Sequence, residues 1–192
     1  HWARDAEEAC QIIAGICKEA QAKTVTKGKS MVSEEMHLNP VLEAAGMTVV
    51  ETDLGEYIVQ LAGETPSHII APAVHKTREQ ITDLFHEHHS PLGYTDRVTQ
   101  REALVNEARS VLRERFVSAD VGITGANFLV AETGANVIVT NEGNGDLTSC
   151  LPRVHIVTAG IEKIVPSLDD LAVLLRVLAR SATGQEFSAY TS

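Results

Sequence analysis

Residues 24–51 read Thr-Val-Thr-Lys-Gly-Lys-Ser-Met-Val-Ser-Glu-Glu-Met-His-Leu-Asn-Pro-Val-Leu-Glu-Ala-Ala-Gly-Met-Thr-Val-Val-Glu. Thr24 to Thr26 is a short strand, and Lys27-Gly28-Lys29-Ser30 turns the chain. Ser33 with Glu34 and Glu35 reads as a helix start, Asn39-Pro40 as a second with Asn as cap, and Gly46 closes it. Met47 to Glu51 is the next strand. A strand, a turn, helix and another strand is the unit of an α/β fold.

The order recurs on both sides of this stretch. Trp2 to Ala22 is an amphipathic helix, with Ala9, Ile12, Ile13, Ile16 and Ala20 on one side. Tyr57 to Leu61 is an apolar run of either type, and Gly63 to Ser67 a turn. His68 to Pro72 reads as a buried strand, after which His75-Lys76-Thr77 leads into a helix through Phe85, capped by Thr77. Thr99 to Phe116 is a long helix with its arginines on a solvated face. Strands follow at Val121 to Ile123, Val137 to Thr140 and Val154 to Ala159, then a helix capped by Ser167 and a strand from Glu186 to Tyr190. The expectation is an α/β fold with a mainly parallel sheet flanked by helices on both faces, in one domain over residues 1–192. The first residue, His1, and the abrupt ending suggest a chain truncated at both ends.

With 16 basic against 26 acidic residues and a net charge of −10, binding to nucleic acid by phosphate neutralisation is excluded as a main role. No apolar stretch approaches the roughly 20 residues of a membrane span. Three cysteines are an odd set for disulfides, and a reducing cytoplasm suits them. Cys10 and Cys17 read as small core residues rather than ligands. His86, His88 and His89 either bind a metal or meet the carbonyls at a helix end, and their spacing matches no zinc pattern. His155, inside a strand, reads as a core residue.

Parallel sheets bind ligands beyond the carboxyl ends of their strands. Lys29, Lys76, Asn127 and Glu142 all lie just past expected strands and can converge on one crevice. The lysine-rich turn at Lys29 is either an anion site or a solvated turn; it does not match the phosphate loop G-x-x-x-x-G-K-[ST]. The residues between Asp120 and Gly145 are either a site or a set of turns.

Six segments carry a resemblance: Lys29-Ser30-Met31-Val32-Ser33-Glu34-Glu35, Ala71-Pro72-Ala73-Val74-His75-Lys76-Thr77, Gly122-Ile123-Thr124-Gly125-Ala126-Asn127-Phe128, Ala131-Glu132-Thr133-Gly134, Asn141-Glu142-Gly143-Asn144 and Gly160-Ile161-Glu162-Lys163. In this order, with Arg180 to Gln185 after them, they resemble the LUD domain of the lactate utilization protein B family. The resemblance implies the fold group of sugar-phosphate isomerases and coenzyme A transferases. It also implies a bacterial, cytoplasmic iron-sulfur protein that oxidises L-lactate to pyruvate with other lactate utilization proteins. Two four-iron clusters are expected in a full-length member and none here, since Cys10, Cys17 and Cys150 cannot supply a C-x-x-C-x-x-C motif.

On this basis Lys29 and Lys76 would hold a small anion, with Asn127, Glu132 and Asn136 orienting it. Ser30, His75, Thr124, Thr133, Asn141 and Glu142 complete the ligand-binding set, and no metal site is expected. Ala131-Glu132-Thr133-Gly134 is similar to a Ser-Glu-Asn-Gly segment with a nucleophilic glutamate in some of those transferases, so Glu132 is the catalytic candidate. Three readings follow: a domain of a lactate-oxidising complex, a self-contained transferase or isomerase using Glu132, and a non-catalytic interaction domain.

Overall fold

A computed structural model describes residues 1–68, 71–140, 142–186, 188 and 190–192. Four parallel strands, β1 (Thr24–Lys27), β2 (Thr48–Glu51), β3 (Val121–Gly125) and β6 (Val154–Thr158), form the main sheet in the order β2-β1-β3-β6. Helices cover both of its faces, as the alternation of elements requires. On one face α1 (Ala6–Glu19) and α3 (Leu38–Ala44) bury Cys10, Ile13, Cys17, Leu38 and Leu42 against Val25, Val49, Val121 and Ile123. On the other, α4 (Leu54–Leu61), α5 (Arg78–His89) and α6 (Arg101–Ser118) enclose Val50, Tyr57, Phe85, Leu104, Val111 and Phe116.

A smaller sheet, ordered β5-β4-β7, is built from β4 (Phe128–Val130), β5 (Ala135–Val137) and β7 (Ile164–Val165). β4 pairs antiparallel with β5 and parallel with β7, and α8 (Leu168–Thr183) packs on it through Leu171 and Leu175. Ser167 caps α8, and Gly184, at φ 73°, ends it.

Several expected boundaries move. The cap after the Lys27–Lys29 turn is Ser30 rather than Ser33: its Oγ accepts the Ser33 N–H, so α2 is Met31–Glu35. α3 starts after His37, at φ 53°, so Asn39 lies inside its first turn rather than at the cap, and its Nδ2 donates to Glu51. The undecided run Tyr57 to Leu61 is helical, with Asp53 capping α4. The expected strand Val137 to Thr140 is split: β5 ends at Val137, and residues 138–140 exchange backbone hydrogen bonds with Tyr190 and Ser192. The expected strands His68 to Pro72 and Glu186 to Tyr190 include Ile69, Ile70, Phe187 and Ala189, which lie outside the described residues.

α7 (Asn144–Cys150) lies so close to β3 that a Cβ on Gly122 would come 1.9 Å from the Thr148 carbonyl oxygen. Gly122→Ala therefore forces backbone apart and costs about 3 kcal/mol, a fall in Tm of roughly 6–12 °C. Gly28→Ala, whose methyl meets nothing nearer than 3.5 Å, is the mild control. Thermal denaturation of both variants checks the difference.

Candidate functional site

The carboxyl ends of β1, β2, β3 and β6 carry the polar centre of the molecule. β1 leads through α2 and α3 to β2 on one side, while the chain returns to β3 on the other, so the order reverses between β1 and β3. Crevices open at such switch points. Gly28 donates its N–H to Ile123 O across this point, and a Cβ on Gly125 would lie 3.0 Å from Ser30 Oγ. The glycines let the two loops meet.

Behind them lies a hydroxyl network. Thr158 Oγ1 donates to Thr124 O at 3.2 Å and is 3.1 Å from Ser33 Oγ and 3.4 Å from Ser30 Oγ. With the Thr158 proton committed to Thr124, Ser33 is the donor to Thr158. Thr124 Oγ1 is 2.8 Å from His155 Nε2, and partial burial pushes the His155 imidazole below its ordinary pKa.

Beside the network is a buried charge cluster. Lys27 and Glu51 end β1 and β2 as register partners, with 1 % and 5 % of their surface exposed and Nζ 2.9 Å from Oε1. Asn39 Nδ2 donates to the same Glu51 oxygen at 2.6 Å. Glu56, 3 % exposed, faces Glu34, Glu51 and Lys27; burial first, then Glu34 and Glu51, push its carboxyl up to about 10, against the pull of Lys27.

The structure brings some of the expected site residues together. Glu142 lies within electrostatic reach of Lys29 and of Asp53; burial and Asp53 raise its carboxyl and Lys29 lowers it. Ser30 and Thr124 are joined through Thr158 at the same strand ends, both buried. Lys76 and His75 are occupied by Glu64: Lys76 Nζ bonds one oxygen, and His75 Nε2 lies 2.7 Å from the other. His75 Nδ1 is 2.7 Å from Ser67 Oγ. Pro72, 3.0 Å from the Cβ position of Gly55, sets this turn beside the start of α4.

The remaining expected residues belong to the small sheet. Asn127 Oδ1 accepts the Val139 N–H at 2.8 Å, and Thr133 Oγ1 accepts the Ala135 N–H. Asn136 Oδ1 is buried with no hydrogen-bond partner among the described residues. Glu132 is exposed and accepts the Leu168 N–H at the start of α8. Asn141 lies outside the described residues.

Elsewhere, His89 turns inward rather than toward the helix-end carbonyls, fully buried between Tyr57 Oη at 2.9 Å and Glu107 Oε1 at 2.7 Å. No group of histidine, cysteine, aspartate and glutamate suited to a metal is found among the described residues. Cys10 and Cys17 are buried in the core and Cys150 is exposed, an arrangement that does not fit an iron-sulfur cluster. No described helix is long and apolar enough to cross a membrane.

A family model described as LUD domain matches residues 1–192. The chain belongs to the LUD domain family. Lactate utilization protein B of Geobacillus kaustophilus (strain HTA426) is 50 % identical over 190 residues, 98 % of this LUD domain and 39 % of that protein. Lactate utilization protein B of Bacillus subtilis (strain 168) is 49 % identical over 191 residues, 99 % and 39 % of the two chains. The LUD domain thus spans about two fifths of these relatives' length. No solved structure matches it with significance.

The charge cluster gives a direct test. Lys27→Met strands the buried Glu51 carboxylate and costs about 3–5 kcal/mol in urea denaturation. Adding Glu51→Gln to that variant removes the unmatched charge and recovers most of the loss.

Proposed function

We propose that this LUD domain serves lactate utilization, holding a small anion in the crevice between the β1 and β3 loops. The observation that carries the reading is the identity of about 50 % over almost the whole chain to proteins named lactate utilization protein B. The crevice chemistry supports it. Lys29 supplies positive charge at the switch point, and the hydroxyls of Ser30 and Thr124, held by Thr158 and His155, back it with polar groups.

Removing two electrons from a 2-hydroxy acid requires an acceptor that side chains cannot provide. Because the three cysteines do not fit a cluster, electron transfer belongs to iron-sulfur clusters elsewhere in the complete protein or to its partner lactate utilization proteins. This domain binds, orients and excludes water. A cytoplasmic setting follows from the same reading.

The second reading keeps Glu132 as a nucleophile. Its favouring observation is exposure: the carboxylate is accessible, with one contact to the Leu168 N–H. Acyl transfer from a coenzyme A thioester, abolished by Glu132→Gln, would establish it.

Titration with L-lactate, pyruvate and acetate, followed by amide NMR shifts, separates the two readings. The anion reading expects shifts concentrated at residues 28–30 and 124–127, and binding at least about tenfold weaker in Lys29→Ala, as for a lost charge-assisted hydrogen bond. Shifts confined to the Glu132 turn, or none, would overturn it.

A further inference from the structure

Glu56 lies in the first turn of α4, and neither of its carboxyl oxygens meets a hydrogen-bond donor among the described residues; the side chain within hydrogen-bonding reach of it is another carboxyl, that of Glu34. An ionised carboxylate buried without donors would bear its whole desolvation cost. The charged groups facing it are Glu34 from α2, Glu51 from β2 and Lys27 from β1. Lys27 is already matched by Glu51, at 2.9 Å. With all three carboxyls ionised, the pocket would hold three negative charges against one positive.

A proton on Glu56 answers both problems. It makes the carboxyl a donor toward the Glu34 carboxylate, and it leaves Lys27 and Glu51 as a neutral pair. We propose that Glu56 and Glu34 form an acid–base pair beside the crevice, one proton shared between two carboxyl groups. Glu56 is the buried holder, and half-buried Glu34 is the member through which the proton exchanges with solvent. In that exchange the O–H bond of Glu56 breaks as one forms on Glu34, the negative charge moves to Glu56, and no electrons are transferred. The burial of Glu56 and the charges of Glu34 and Glu51 all favour its protonated form, and only Lys27 opposes it.

The pair stands whether or not the crevice takes lactate. On the reading above, the ligand group it would serve is one that exchanges a proton, as the hydroxyl of a 2-hydroxy acid does.

Carboxyl-labelled glutamate, followed by NMR across a pH series on the ligand-free chain, tests the pair directly. One glutamate is expected to remain protonated at neutral pH, and its signal should vanish in Glu56→Gln. Glu34→Gln, which removes the like charge and keeps the fold, should lower that midpoint by about one unit or more. A spectrum in which every glutamate is ionised at neutral pH would overturn the proposal, as would a midpoint indifferent to Glu34→Gln.

Stability gives an independent readout. The unfolded chain releases this proton in the ordinary carboxylate range, while the folded chain keeps it until about 10, so folding weakens as pH rises through that window. Relative to Glu56→Gln, the wild type should lose up to about tenfold in folding constant per pH unit there. A gap independent of pH would contradict the shared proton. Should Glu56→Gln fail to fold, the wild-type and Glu34→Gln spectra decide alone.

Discussion

A lysine with 1 % of its surface exposed stands at the end of the central strand, and its charge must be answered inside the protein. β1 is hydrogen-bonded on both sides, by β2 and β3, so Lys27 cannot move to solvent without unmaking the sheet. The answer comes from three elements. β2 ends in Glu51 at the same register, α3 sends Asn39 to the same carboxylate, and α4 places Glu56 alongside. A one-residue slip of β1 against β2 would turn Lys27 or Glu51 to the opposite face and leave a charge buried alone. The pair therefore acts on register and specificity more than on net stability, since well-packed apolar residues could fill the same space at no loss.

The same constraint brings the crevice together. Holding Lys27 at the strand end fixes where Gly28, Lys29 and Ser30 leave the sheet, and Gly125 allows Ser30 to approach the β3 loop. Thr158 then ties the α2 turn to β3 and β6 through three hydroxyl contacts. Electrostatics and hydroxyl bonding meet at one end of the sheet, while the apolar contacts of α1, α3, α5 and α6 fill the rest. The small sheet follows a different logic. Asn127, Thr133 and Glu132 spend their side-chain oxygens on backbone N–H groups of its turns and of α8, so residues with chemical potential serve local geometry there.

Much of this was readable from residue order. Thr24 to Thr26 and Met47 to Glu51 announced strands by their β-branched composition, and Thr77 and Ser167 announced helix starts. Ser30 and Asn39 were harder, because both can cap. Ser30 does, whereas the helix begins one residue before Asn39, whose amide N–H reaches Glu51, 12 positions away. The charge cluster also left a faint sign: a lysine and a glutamate each ending an apolar strand where a polar turn residue would serve. Periodicity reads such residues as exposed. His89 was hidden similarly among three histidines, since only packing against Tyr57 and Glu107 separates it from His86 and His88.

By itself the sequence determined the α/β class, the parallel sheet, the helix starts at Thr77 and Ser167 and the family, because these depend on local propensity, apolar period and the order of motifs. The tertiary structure decided which polar residues share a site. It set Glu142 within reach of Lys29 and Asp53, committed Lys76 and His75 to Glu64, and closed Glu56 away with Glu34 and Glu51. Those outcomes turn on distances of a few ångströms between residues far apart in the chain, and on how little water reaches them. Both are set by how the layers pack, which no single stretch encodes.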